Sequence, residues 1–215
     1  MDERRDPDSL PARSYHHGDL RRALLEVGAR SLACVGPHAL SLREVSRSAG
    51  VSHSAAYRHF PSKADLLAAL AERGFRQLTA DMRRAAPVPG HRPGAARLIA
   101  AGQAYVAFGV AHAELLQLMF GGQIGRPGEH PPLDDAAMAA YAVLRGAIED
   151  GQRGGEFRRG DAAMLALAAW SLVHGLALLY AGQRVGLPGA TVPPPEQVSA
   201  ALSGLLLGGI EARDP

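Results

Sequence analysis

Arg43, Ser52, His53, Ser54, Tyr57, His59 and Lys63 crowd into one short stretch of a 215-residue chain. Hydroxyl, imidazole and phenol groups donate and accept hydrogen bonds, and arginine and lysine add fixed positive charge. Arg43, Tyr57, His59 and Lys63 suit phosphate oxygens, as do the backbone N–H groups of a helix beginning at Ser62. Ser52, His53 and Ser54 stand where the first turn of a short helix would offer them to base edges, and His53 could donate to a guanine acceptor or touch a thymine methyl. A solvated helix surface is the competing reading of each polar residue taken singly.

The elements that must position these groups are legible around them. Ser41-x-x-Glu44 has the form of a capping box, so a helix is expected from Ser41 with Leu42, Val45 and Ala49 inward. Gly50 supplies the left-handed turn residue and Val51 a plug between two helices. Ser52 caps a second helix, His53 to about His59, and Ser62-x-x-Asp65 opens a third that runs to about Arg84. Two short helices locked around a sharp turn make a helix-turn-helix, with a shape that enters a major groove.

Gly50-Val51-Ser52, Tyr57-x-x-Phe60-Pro61-Ser62-Lys63 and Asp65-Leu66-Leu67 together resemble the TetR family of transcriptional regulators. Ala29-x-x-Leu32-Ala33-x-x-Gly36 and Leu40 to Val45 match that family's first two helices, and the likeness covers about residues 15 to 75. It implies that Tyr57, His59 and Lys63 clamp the DNA backbone. It also implies that a ligand among the carboxy-terminal helices tilts the fourth helix, and that the protein represses. His53 stands where the family commonly has lysine, and Ala55-Ala56 are small, so the base preference is this chain's own. Trp170-x-x-x-His174-Gly175-Leu176 and Tyr15-His16-His17-Gly18-Asp19-Leu20 resemble a Trp-His-Gly subgroup.

Charge segregation supports a polyanion partner. From Arg13 to Lys63 eight basic residues face three acidic ones, an excess of five, which leaves −3 for the rest of a chain whose total is +2. Lys63 is the only lysine. Residues 1–14 mix Asp, Arg and Pro without an apolar core, so a disordered arm is expected rather than a secretory signal. By resemblance, Arg13 on that arm could reach the minor groove. A single cysteine, Cys34, rules out an intramolecular disulfide framework and fits a reducing cytoplasm. It is expected beside the inward stripe of the first helix, where an inert thiol competes with a redox role. Residues 162–183 carry no Asp, Glu, Lys or Arg over a length that could span a bilayer. Their alanine content and His174 favour burial between the core and a second subunit, with no membrane partner. Nucleophile elbow, phosphate loop, dinucleotide fingerprint and H-E-x-x-H pair are all missing, so neither enzyme, cofactor nor metal is expected. The pairs His16-His17 and His112 with His174 lack an acid or thiol at ligand spacing.

Aromatics are sparse at 5% and no long β-branched alternation occurs, so the fold is expected to be all-α with about nine helices. A helix-turn-helix head over residues 15–61 precedes a ligand-binding and dimerisation domain over 62–215. Further helices are expected at about 19–35, 94–110, 112–121, 134–152, from Asp161, and after Pro195, with a long flexible loop at 121–132. Phe75, Tyr105, Phe108, Phe120, Tyr141 and Trp170, with Met119 and Met138, could line an apolar effector cavity. His112, Gln117 and His174 are its candidate polar anchors. Simple core filling is the competing reading. One head binds weakly and two a helical turn apart bind tightly, so a homodimer is required. Gly175 and Leu178, with Leu179 and Trp170, and Leu202, Leu205, Leu206 and Gly209 are the candidate interface. Val198, Leu202, Leu205, Leu206, Gly209 and Ile210 read as one apolar stripe. The expected partners are therefore a double-stranded DNA operator, a small and largely apolar effector, and a second copy. A helical small-molecule or metal sensor with a vestigial DNA head is the alternative.

Overall fold

The computed structural model describes residues 17–88, 90–185 and 191–210. The expected arm at 1–14, Arg13, and the opening of the Tyr15–Leu20 motif lie outside the described residues. Within them the chain is all-α: α1 His17–Ala39, α2 Leu42–Ser48, α3 His53–His59, α4 Lys63–Arg84, α5 Pro93–Ala111, α6 Ala113–Phe120, α7 Pro131–Arg153, α8 Ala162–Ala181 and α9 Pro195–Ile210.

Side-chain caps fix several helix starts. Ser52 Oγ accepts from Ala55 N at 3.2 Å. Ser62 Oγ accepts from Asp65 N at 3.1 Å and donates to Asp65 Oδ2 at 2.7 Å, closing both sides of the expected cap. Asp161 accepts from Ala163 and Met164 at the head of α8. Ser41 departs from expectation. It has the extended backbone of an N-cap but no side-chain cap bond, so α2 starts without the capping box and is held by burying Leu42 and Val45. α1 breaks at Gly36, whose φ of 71° lies outside helical space, before Pro37.

α5 is the central helix and touches α4, α6, α7, α8 and α9. Alanine and glycine on nearly every side let its neighbours close in. A Cβ on Gly109 would lie 2.7 Å from Ala177 Cβ, so α5 and α8 are nearly backbone to backbone there. α7 begins at Pro131, three residues before the expected Asp134, because proline suits the first turn of a helix. Asp134 instead accepts from Gly128 N at 2.8 Å and ties back the loop. The α9 stripe also departs from expectation. Ser199, Ser203, Leu207 and Ile210 face the core, Leu202 and Leu206 are half-buried, and Leu205 and Gly209 face out.

Two described helices, α5 and α8, are long and apolar enough to cross a membrane. Most of α5 is buried by its neighbours, whereas α8 buries one face only. Cys34 is exposed, as its position on the wheel requires.

Candidate nucleic-acid interface and regulatory site

The head is built on a small core in which Leu24, Leu40, Val45, Ala56 and Phe60 are almost fully buried. Gly50 turns the chain with φ 69°, and Val51 N donates to Ser46 O at 3.1 Å, which fixes the angle between α2 and α3. With Ala56 inward, α3 turns Ser52, His53, Ser54, Tyr57 and Arg58 to solvent. The His53 and Tyr57 rings meet edge-on, centroids 4.5 Å apart, at the i, i+4 spacing that brackets one helical turn. Ser52 and Ser54 hydroxyls are 3.2 Å apart. Arg43 is exposed on α2, and His59 is half-buried at the end of α3. Six of the seven expected contact residues are thus exposed, and His59 is half-buried.

Lys63 makes a contact that local sequence does not announce. Its ammonium donates to the His38 carbonyl at 2.8 Å. Gln123 Nε2 lies 2.8 Å from His38 Nε2, and an amide nitrogen can only donate, so that ring nitrogen accepts. His130 Nδ1 stands 4.0 Å from Asp65 Oδ1. The loop between α6 and α7 therefore touches both the end of α1 and the start of α4. No local signal marks His38 or Gln123, because they are 85 residues apart.

Six of the eight expected effector residues meet. Phe120 lies edge-on to Phe75 and Trp170 and tilted over His174 at 4.4 Å between centroids. Trp170 also packs on Tyr105 and Tyr141. Tyr105 is buried, and its hydroxyl lies 2.9 Å from His174 Nδ1. Tyr141 donates to the Ala163 carbonyl at 2.6 Å. Phe108 and His112 meet in a tilted contact, centroids 5.0 Å apart, and belong elsewhere, on a cavity of about 670 Å³ between α1, α4 and the α5–α6 junction. Met138 and Gln117 point to solvent, and Met119 is buried. No group of three or more His, Cys, Asp or Glu that could hold a metal occurs among the described residues.

Burial pushes the Tyr105 phenol up and lowers His174 from its ordinary value near 6.5. With the tyrosine donating to Nδ1, neutral His174 carries its proton on Nε2. Below about pH 6.5 the unfolded chain takes up a proton at this site that the folded one resists, so stability falls as pH drops through that value. Urea denaturation at pH 7.5 and 5.5 is expected to show a smaller loss for His174→Gln, which keeps an acceptor for Tyr105 but does not titrate. Equal losses in both proteins would remove His174 as a source of the pH slope.

The candidate interface residues divide in the same way as α9. Leu178, Leu179, Leu205 and Gly209 are exposed, and Leu202 and Leu206 pack partly against the core. Trp170 points into the ring cluster instead. A Cβ at Gly175, Gly204, Gly208 or Gly209 would meet nothing within 4 Å.

Residues 24–70 match the family model for bacterial regulatory proteins of the tetR family, and residues 98–202 match the tetracyclin repressor-like carboxy-terminal domain. No curated protein matches the sequence. Among solved structures, a protein with unknown function from Rhodococcus sp. RHA1 is 38% identical, with a TM-score of 0.79 over 94% of this chain and 100% of that one. A regulatory protein in the tetR family from Rhodococcus RHA1 is 23% identical, with a TM-score of 0.68 over 91% and 98% of the two chains. AibR, solved in complex with isovaleryl coenzyme A and operator DNA, has the same fold at 19% identity, with a TM-score of 0.64 over 87% and 98%. A DNA-reading head and a helical body, each matched by its own model, place this chain in the tetR family of bacterial regulatory proteins.

Proposed function

We propose that the protein is a cytoplasmic, homodimeric repressor that binds a DNA operator through residues 15–61 and leaves it when a small, largely apolar effector binds within residues 62–215. The observation that carries this reading is α3, a helix with one buried alanine and an open face of Ser52, His53, Ser54 and Tyr57. Such a face has no packing role. Hydrogen-bonding groups at the first turn of a helix that stands proud of its head are what base readout needs. Arg43, Tyr57, His59 and Lys63 flank it as phosphate ligands, and Lys63 would exchange its carbonyl partner for a phosphate.

The ring cluster around Trp170 supports the effector half of the proposal. Neutral His174 and the Tyr105 hydroxyl give an apolar setting two polar handles, which suits a weakly polar molecule. AibR, with a coenzyme A thioester and operator DNA in one complex, is a precedent for the arrangement. Trp170 and His174 of the Trp-His-Gly motif belong to this cluster. Regulation, not catalysis, is the role assigned to the whole chain, and the exposed face of α8 is assigned to a second subunit, not to a bilayer.

The test is binding to genomic fragments selected by the purified protein. Lys63→Ala is expected to weaken binding to every fragment and to lower the slope of log affinity against log salt by about one. His53→Ala is expected to change which fragment is preferred, by roughly 1–3 kcal/mol per altered base contact. A shallow salt slope with no preferred fragment would favour the sensor with a vestigial head.

A further inference from the structure

We infer that the trough between α1 and α4 binds an amphipathic anion, an apolar chain ending in a phosphate or diphosphate. Two adjoining cavities share Arg73. One, of about 670 Å³, has apolar walls from Leu32, Leu70, Phe108 and Leu115. The other, of about 330 Å³, is lined by Arg21, Arg22, Leu25, Glu26 and Arg73.

Their lining residues fall on continuous helix faces. On α1 positions 22, 26, 29 and 33, flanked by 21, 25 and 32, and on α4 positions 70, 73 and 77 follow the i, i+3 and i+4 steps of one helix face each. At 1.5 Å per residue the α1 stripe is about 16 Å long. The two cavities are therefore one trough, basic at the start of α1 and apolar towards its end.

Charge gives the trough a direction. Three guanidinium groups against Glu26 leave the first end positive. Arg21 is already steadied over the Phe60 ring at 5.2 Å, and Arg22 has an interaction of its own. Glu114 stands at the far end, with Oε2 2.9 Å from where a Cβ on Gly36 would sit. A molecule with one anionic end is drawn to the arginines and repelled from the carboxylate, so its tail lies along the apolar section. A simple fatty acid would leave most of the basic end unmatched, whereas a phosphate can take the planar donor fork of Arg73.

The site is separate from the ring cluster, since Phe75, Tyr105, Phe120, Tyr141, Trp170 and His174 do not line it. Its walls come from the head (α1) and the body (α4 and the α5–α6 junction), so an occupant bridges the two.

Calorimetric titration of the full chain with decanoyl-coenzyme A, farnesyl diphosphate, coenzyme A and decanoate tests this. At least one of the two amphiphiles is expected to bind about tenfold or more tightly than coenzyme A or decanoate. Which of them binds identifies the source of the phosphate. Arg73→Glu and Ala33→Trp alter exposed positions, one reversing the charge and the other filling the apolar section. Each is expected to weaken binding about tenfold or more, while Trp170→Leu leaves it unchanged. Absence of binding by both amphiphiles, in protein that still retains operator DNA, overturns the site and leaves the regulatory reading standing. Affinity that ignores Arg73→Glu and Ala33→Trp but is lost in Trp170→Leu also overturns it, by moving the ligand to the ring cluster.

Discussion

Leu205→Arg is expected to leave the chain folded but monomeric, and to cost it at least about a hundredfold in operator affinity. Leu205 is 76% exposed, so the monomer loses almost no packing when it changes. α8, which packs against α9, also exposes apolar side chains. Met164 is 61% exposed, Leu167 51%, Leu178 44% and Leu179 48%, all on the outward side of α8. Single exposed apolar residues are ordinary, but four on α8 together with Leu205 on α9 support the second-copy contact proposed above. The glycines of α9 leave open space where side chains would stand, which would let the proposed second copy approach closely. Arginine at position 205 would bury an unpaired charge on each side of a two-fold contact. The affinity loss follows because joined heads bind their second half-site at an effective concentration near millimolar, and separated heads do not. Sedimentation velocity and operator titration measure the two effects. A variant that stays dimeric and keeps its operator affinity would refute the assignment of this face.

Gly151→Ala is expected to lower stability by about 3 kcal/mol and the melting temperature by roughly 6–12 °C. The start of α5 crosses the end of α7 at this position. A Cβ on Gly151 would fall 2.2 Å from Phe157 Cδ2, and Phe157, only 2% exposed, has no outward path. From the other side, a Cβ on Gly94 would lie 2.7 Å from the Gly151 Cα. Glu156 locks the crossing, its buried carboxylate accepting from Gly94 N at 3.0 Å and Ala95 N at 3.1 Å. Those are orphan donors at the head of α5, where a carboxylate also complements the helix dipole. Gly146→Ala is the control. It lies mid-way along the same helix, a Cβ there meets nothing within 4 Å, and it should gain roughly 0.5–1 kcal/mol from helix propensity alone. Thermal denaturation followed by circular dichroism separates the two. Equal melting temperatures would show that the crossing yields more readily than its distances imply.

The head was legible from the sequence because its signals act over a few residues. Ser52 and Ser62 cap the helices expected of them, Gly50 takes the left-handed turn, and the exposed face of α3 follows from Ala56 pointing inward. Ser41 shows the limit of such reading. Residue type and spacing suit a capping box, yet the side chain makes no cap bond, since burial of Leu42 and Val45 suffices to hold α2.

In the body, periodicity identified apolar faces but not their partners. Phe75 meets Phe120 and Phe120 meets His174, each far along the chain, and Phe108, of the same type on a neighbouring helix, faces another cavity altogether. A helix that is apolar on several sides, such as α9, can present its stripe to the core or to solvent. Only the packing of α5 against α8 and α9 split it between Leu207 inside and Leu205 outside. Residue order alone thus determined the DNA-reading unit, whose caps and turn are made among near neighbours. Tertiary structure decided the ring cluster, the α1–α4 trough, the Gly94–Gly151 crossing and the His38–Gln123 link, because each joins surfaces that lie far apart in the chain.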